Sequence, residues 1–225
     1  MKDPETQTLN FEGVDDLLRD QYPSTILFSS VKTKTSVNKF LIEELKMVPA
    51  EKKCISKSLV WKKKKGSLNR QAELREVDHD AYIVPFIDNL KNLMMNDYVR
   101  ENVNNPIVHE NGVYRTVLDG KFYRENGFFC NNPKALAVVL YYDDLGVANP
   151  LASSSRTQKL SMFYWTLANI IPELRSSNNA IQLLAIVKTS YLKEAGALQK
   201  ILEPFINDIK ILQAQGIDIS IFIIN

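Results

Sequence analysis

The chain has 225 residues, of which 45% are hydrophobic and 24% charged. These proportions are typical of a globular protein and exclude collagen-like, coiled-coil and low-complexity chains. Lysine and arginine number 28 and aspartate and glutamate 26, so the formal net charge of +2 gives no global attraction to DNA or anionic lipid. The apolar runs are shorter than the roughly 18 residues of a membrane-spanning helix, and the polar N-terminus does not resemble a secretory signal. We therefore expect an intracellular protein with no membrane partner.

The first 78 residues are expected to form a helical and basic region that is partly disordered. The stretches DDLLRD and VNKFLIEELKMV suggest two short helices. From Lys46 to Arg75, ten basic residues stand against two acids, a local charge of +8. This segment favours either a solvated, poorly ordered linker or a nuclear import signal or phosphate-contacting strip. In the second case the candidate nucleic-acid-binding residues are Lys52, Lys53, Lys62, Lys63, Lys64 and Lys65.

Residues 79–134 are expected to combine one helix with loops or hairpins. The apolar spacing between Asp80 and Asn102 is that of an amphipathic helix. Pro85 favours a start near it, with residues 81–84 extended, because proline is tolerated in the first turn of a helix. Residues 107–134 contain repeated Asn-Gly and Asp-Gly turn signals, which predict one or two small hairpins.

Residues 135–225 predict three strands, a helix and a fourth strand. Leu136 to Asp143 is apolar on both faces, as in a strand buried in the middle of a sheet. The second and third strands are expected at 159–168 and 180–188. Residues 197–215 predict a helix that Gly216 ends and that Pro204 kinks or splits. Residues 217–224 predict a fourth strand, which a right-handed crossover would place in the same sheet as the first.

The cysteines and histidines offer no evident metal or nucleophilic site. Cys54 and Cys130 have no CxxC or CxxH spacing, which favours reduced thiols over a zinc site or a disulfide. His79 and His109 are flanked by polar or turn residues, which favours surface positions over a role as a base. The sequence also lacks GxxxxGK[ST], GxGxxG, HExxH and GxSxG patterns, so no nucleotide cofactor is expected.

The segment YYDDLGVANPLASSS, residues 141–155, follows the most apolar predicted strand. An acid at the end of a buried strand is solvated, hydrogen-bonded or bound to metal, because an isolated buried carboxylate is costly. Successive strand residues face opposite ways, so only one of Asp143 and Asp144 could serve a given ion. The alternative is that both acids simply begin a loop, since Asp is a favoured turn residue.

From about Val84 to Ile219 the sequence resembles the central part of CACTA-type (En/Spm-like) DNA transposases and of animal proteins derived from them. The matching stretches, in order, are VPFIDNLKNLM, VLDGKFYRENGFFCNNPKALAVVLYYDDLGVANPLA, KLSMFYWTLANIIPELRSSNNAIQLLAIVK and LQKILEPFINDIKILQAQGIDI. The resemblance implies an RNase H-like core with a mixed sheet in the strand order 3-2-1-4. In that core two Asp and one Glu hold two divalent ions, Mg²⁺ in the intact family, for DNA strand cleavage and transfer.

The resemblance places the first of these acids, and the metal ligand, at Asp143, with Asp144 as the alternative. The second acid would lie in a DxPA-like stretch after the fourth strand, and this sequence contains no such stretch. We therefore expect a transposon-derived remnant, truncated within the core, that binds no metal tightly and has no independent activity. The alternative function is a nucleic-acid-binding or protein-interaction module that uses the lysine-rich segment and an open sheet edge. The expected location is nuclear, with the cytoplasm as the alternative.

Overall fold

The computed structural model describes residues 33–63, 72–105, 109–110, 112–146, 159–177 and 180–217. The chain divides into two compact units, Met1–Met47 and Val48–Asn225. The described part of the first unit is helix α1 (Lys34–Glu43), which begins at Thr33, whose hydroxyl accepts a hydrogen bond from the backbone amide of Ser36 at 3.1 Å. This helix overlaps the second of the two predicted helical stretches but begins three residues before it, at Lys34, whereas DDLLRD lies outside the described residues.

The second unit is an α/β structure with a five-stranded antiparallel sheet in the order β1-β2-β5-β4-β3. Its described elements are β1 (Glu51–Lys63), β2 (Ala72–Ile83), α2 (Phe86–Met94), α3 (Asp97–Asn104), a 3₁₀ turn (Val117–Asp119), α4 (Lys121–Arg124), α5 (Gly127–Asn131), β3 (Val138–Gly146), β4 (Lys159–Leu167), α6 (Pro172–Arg175), β5 (Gln182–Lys188), a second 3₁₀ turn (Thr189–Lys193) and α7 (Ala197–Gln215). No helix in these described ranges is long and apolar enough to cross a bilayer.

The three strands predicted in the last third of the chain are confirmed as β3, β4 and β5, and they lie side by side in the order 3-2-1. The mid-sheet burial predicted for the first of them is not seen among the described strands. Among the described strands β3 is at the sheet edge, and most of its residues are exposed. Apolar residues on both faces of a strand do not distinguish a strand in the middle of a sheet from an edge strand whose two faces are each partly covered. The predicted fourth strand falls almost wholly on residues 218–225, outside the described residues.

The described part of the basic segment, residues 46–63 and 72–75, is largely strand, so the expectation of a poorly ordered linker is wrong for that part. Residues 51–63 form β1, which pairs with β2 from Glu51 opposite Ile83 to Lys63 opposite Ala72. The boundary predicted after residue 78 falls inside β2. A count of the charges along β1 does not include the acids of β2 that lie opposite its lysines. The lysines alone therefore suggested a self-repelling linker and not a strand.

The hairpins predicted for residues 107–134 are replaced, in the part the structure describes, by short helical turns. Side chains in this region cap the helical turns. Asn126, from a predicted Asn-Gly turn, caps α5, because its side chain accepts a hydrogen bond from the backbone amide of Phe128 at 2.9 Å. The hydroxyl of Thr116 caps the first 3₁₀ turn by accepting a hydrogen bond from the backbone amide of Leu118 at 3.1 Å. Asx and hydroxyl side chains form the same local hydrogen bonds in turns and at helix N-termini, so the motif alone does not distinguish them.

The hydrophobic core lies between one face of the sheet and helices α2 and α7. Phe86 of α2 is at its centre and makes edge-to-face contacts with Trp165 of β4, at a centroid distance of 4.7 Å, and with Phe205 of α7, at 4.9 Å. Ile201 of α7 is also fully buried. We call this covered side the inner face and the opposite side the outer face.

The last helix has the bounds expected of it, Ala197–Gln215, and it ends at Gly216, whose φ is +70°. Of the two effects expected of Pro204, the split does not occur. The residues on both sides of the proline are held by the same core, since Ile201 is buried and Phe205 packs on Phe86. This shared packing keeps the helix continuous across the missing backbone donor.

Helix α2 receives its N-terminal cap from another helix. The carboxyl of Asp208 in α7 accepts hydrogen bonds from the backbone amides of Phe86 and Ile87. Pro85, the residue before the helix, supplies no side-chain cap. Burial raises the pKa of Asp208 and nearby Asp88 adds to the rise, while the two amides oppose it. Because the folded state holds this proton more tightly than the unfolded chain, part of the stabilisation is lost as the pH rises above 3.8 through the raised pKa.

We predict that Asp208→Ala lowers the free energy of unfolding by about 1 kcal/mol, the usual cost of removing a helix cap. Asp208→Asn cannot ionise, so its stability relative to the wild type should increase as the pH rises from about 3 to about 7. Urea unfolding followed by circular dichroism measures both effects. Asn207→Ala, at an exposed position of the same helix, is the control. A pH-independent difference between Asp208→Asn and the wild type would contradict the prediction.

Candidate functional site

The two acids singled out by the sequence lie on opposite faces of β3. Asp144 is directly opposite Ser161 of β4, and Asp143 is opposite Met162. Ser161 is fully buried and lies on the inner face, in line with Phe163 and Trp165. Asp144 therefore points to the face that the helices cover, and Asp143 points to the outer face. Both acids lie within the strand, so the alternative that they begin a loop is wrong.

Three hydroxyl groups surround one carboxylate oxygen of Asp144. Tyr142 and Ser161 each donate a hydrogen bond to Oδ1 at 2.7 Å, and the Thr189 hydroxyl lies 3.4 Å from the same atom. The oxygens of Ser161 and Thr189 are 2.9 Å apart. The hydrogen bond from Tyr142, followed by that from Ser161, lowers the pKa of Asp144, and Thr189 and Lys159 add smaller effects against burial. We call Tyr142, Asp144, Ser161 and Thr189 the hydroxyl–carboxylate cluster.

Asp143 has a different setting. Its Oδ1 accepts the backbone amide of Asp144 at 2.8 Å, and its neighbours on the outer face include the stacked rings of Tyr141 and Tyr164. The strand therefore separates the two acids. The resemblance favours Asp143, whereas the hydrogen-bond geometry favours Asp144 as the carboxylate held in a fixed orientation. Within the described ranges no three His, Cys, Asp or Glu side chains come close enough to hold a metal ion together.

Two of the lysines chosen as nucleic-acid contacts already pair with acids. Lys52 pairs with Asp80 of β2 at 2.9 Å, and Lys53 pairs with Glu203 of α7 at 3.3 Å. Hydrogen bonding to Asp80 and its charge raise the pKa of Lys52. Lys62 lies near the end of β1 and is exposed. The backbone of Lys63 ends that strand, and its side chain lies outside the described part. Lys64 and Lys65 also lie outside it.

Both histidines depart from the surface positions expected of them. His79 is buried, its ring stacks on Tyr191 at 4.0 Å, and its two nitrogens lie 3.0 Å and 2.9 Å from the hydroxyls of Ser56 and Ser58. A β-bulge at Ile55 shifts the register and brings both serines onto the side of His79. The polar residues on either side of His79 in the sequence wrongly indicated a surface position, because adjacent residues of a strand face opposite ways.

His109 lies within hydrogen-bonding distance of a buried acid. Its Nδ1 lies 3.0 Å from Oδ1 of Asp119, which is only 2% exposed. Burial alone would raise the pKa of Asp119, but the backbone amides of Arg115 and Thr116 and the His109 ring hold it well below its ordinary value. This arrangement organises the turn that precedes α4.

Cys54 and Cys130 are both free and exposed.

A groove of about 610 Å³ opens on the inner side of β3. One wall is Val138 and Leu140 of β3, and another is formed by α7 together with Ile217, the last described residue. Phe122 and Phe128, from α4 and α5, form its rim, and Phe122 is 82% exposed. The groove is therefore an apolar surface beside the edge of β3 that no described strand pairs with.

Sequence reasoning found Asp144 but missed its partners. Tyr142 could have been predicted as a partner of Asp144, because residues two apart in a strand share a face. Ser161 and Thr189 required the pairing of β3 with β4 and the turn after β5, which no local pattern specifies. Comparison with protein-family models, with curated proteins and with solved structures finds no match.

We predict that Tyr142→Phe raises the pKa of Asp144 toward its ordinary value, because the change removes the strongest hydrogen bond to Oδ1. Ser161→Ala should change the pKa in the same direction. The carboxyl carbon shift in a pH-dependent NMR titration measures the effect. Tyr141→Phe, one residue away on the outer face, is the matched control. An unchanged Asp144 titration in Tyr142→Phe would contradict this geometry.

Proposed function

We propose that this chain is a transposon-derived remnant of a DNA transposase core, with an RNase H-like sheet and no independent strand-cleaving activity. The observation that carries the proposal is the succession of β3, β4 and β5 in the order 3-2-1, followed by a long helix packed on the inner face. This succession is what the resemblance requires of an RNase H-like core up to its fourth strand. A nuclear location accompanies the proposal.

The orientation of the acids supports a refinement of the active-site assignment. A catalytic carboxylate must hold its ligand atoms in a fixed direction, which hydrogen bonds to its other oxygen achieve. The hydrogen bonds from Tyr142 and Ser161 reach Oδ1 of Asp144. We therefore assign the first acid of the ancestral site to Asp144 rather than Asp143. By itself the Asp144 carboxylate binds Mg²⁺ weakly at most, because a hard cation requires several oxygen ligands.

In this proposal residues 217–224 form the fourth strand beside β3 and complete the order 3-2-1-4. Two features support it. Ile217 already packs on the core and lines the groove next to Val138 and Leu140. The following sequence, DISIFIIN, would place Ile219, Ile221 and Ile223 on one side of a strand, with the polar Asp218 and Ser220 and then the apolar Phe222 and Ile224 on the other. A strand there would cover the apolar groove and pair the free edge of β3.

We predict that Ile221→Asp increases amide hydrogen exchange in β3 and lowers the free energy of unfolding by about 2 kcal/mol or more, because it removes a buried isoleucine from the groove. The matched control is Ser220→Asp, which introduces the same charge on the opposite side of the strand. Mass-spectrometric hydrogen exchange over residues 136–146 measures the first effect, and urea unfolding the second. Equal behaviour of the two variants would rule out this fourth strand.

A plasmid-nicking assay tests the absence of catalysis. With Mg²⁺ or Mn²⁺ we expect the wild type to nick supercoiled DNA no faster than Asp144→Asn, because one carboxylate cannot position two metal ions. Asp143→Asn is the control for the other acid. Nicking by the wild type that disappears in Asp144→Asn would show that the chain retains activity and would overturn this part of the proposal.

A further inference from the structure

The outer face of the sheet carries apolar side chains on four neighbouring strands. Met162 of β4 lies directly opposite Asp143 of β3 and Ile186 of β5, so all three side chains point to the outer face. The apolar residues of this face in β2, β3, β4 and β5 are partly exposed or exposed, and we call six of them the outer patch: Tyr82, Leu145, Leu160, Met162, Tyr164 and Ile186.

The composition of the outer patch is typical of a protein interface. Tyrosine and methionine are enriched at such interfaces, whereas charged residues are depleted from their centres. The outer patch contains two tyrosines and a methionine, and none of its members is charged. A sheet face of this kind packs well on a second sheet, at a separation of about 10 Å.

A protruding side chain and a pocket lie on opposite sides of β4. Leu145, in β3, is 51% exposed. On the other side of β4, a pocket of about 350 Å³ opens between β2, β5 and the turn that follows β5. Its apolar and aromatic lining includes Tyr82, Leu160, Ile186 and Tyr191.

Opposite charges lie on the two sides of β4 in the same way. Asp143 of β3 is exposed on the outer face, and Lys188 of β5 lies on that face with its amine 5.6 Å from the centre of the Tyr191 ring. None of the ion pairs among the described residues includes Asp143 or Lys188. The acids that line the pocket, Asp78 and Asp80, do pair with lysines of β1.

This arrangement makes the outer face complementary to itself. A second copy, turned by 180° about an axis parallel to β4, would place its β3 over β5 of the first copy. Leu145 of each copy would then enter the pocket of the other, and Asp143 of each copy would lie beside Lys188 of the other. The two β4 strands would meet at Met162. A two-fold interface requires this self-complementarity, because the same patch serves both partners.

We propose that the outer patch is the interface of a homodimer whose two sheets stack face to face about a two-fold axis along β4. The outer patch has far fewer residues than the 20 to 30 on each side of a typical stable interface, so the dimer is weak and depends on protein concentration. The inference is independent of the proposed function, because the fourth strand proposed there adds to the edge of β3 and leaves the outer face open.

Sedimentation velocity of the full chain over a range of concentrations tests the proposal. The wild-type sedimentation coefficient should rise from that of one chain toward that of two as the concentration increases. Leu145→Glu should raise the dimer dissociation constant about tenfold or more, because it brings a carboxylate to the apolar pocket of the other copy. Leu198→Glu, at a leucine of α7 that is 47% exposed, is the matched control and should leave dimerisation unchanged. Circular dichroism verifies that both variants are folded.

A charge exchange tests the orientation of the two copies. Asp143→Lys and Lys188→Asp should each weaken the dimer about tenfold, because each brings like charges together across the interface. The double variant restores opposite charges and should return the dissociation constant toward the wild-type value. The proposal fails if the wild type sediments as a single chain at every concentration, which would assign the outer patch to a different partner. It also fails if Leu145→Glu dimerises as the wild type does, or if the double variant is no tighter than the single variants.

Discussion

The packing of Phe86 between Trp165 and Phe205 is the contact on which the second unit depends. It joins the sheet, helix α2 and helix α7 through three aromatic side chains. Full burial of a side chain of this size stabilises the fold by about 2 to 3 kcal/mol. Because Trp165 lies in β4, between β3 and β5, the same contact determines which face of the sheet the helices cover, and therefore the surroundings of each strand residue.

The face of the sheet that the helices cover determines the surroundings of the two acids in the candidate site. Asp144 lies on the covered face and is held by hydroxyl groups from β3, β4 and the turn after β5, whereas Asp143 lies on the other face. The geometry therefore makes Asp144, rather than Asp143, the acid whose orientation is fixed by side-chain hydrogen bonds.

The base of the β1–β2 hairpin is joined to helix α7 by two polar contacts. Lys53 forms an ion pair with Glu203, and the Lys200 amine donates a hydrogen bond to the backbone carbonyl of Ile55 at 2.8 Å. That carbonyl belongs to the bulged residue, which β2 leaves unpaired. Toward the other end of β1, Trp61 is 69% exposed.

The sequence by itself determined the elements whose signals are local. The spacing of apolar residues and the position of Gly216 were sufficient for the bounds of α7, and strand periodicity was sufficient for β3, β4 and β5. Only the tertiary structure decided that the lysine-rich segment pairs with an acidic strand, that a bulge at Ile55 brings two serines to His79, and that Asp144 rather than Asp143 meets the hydroxyl groups. The physical reason is that strand partner, register and covered face depend on residues far apart in the chain, and a shift of one residue exchanges the two faces of a strand.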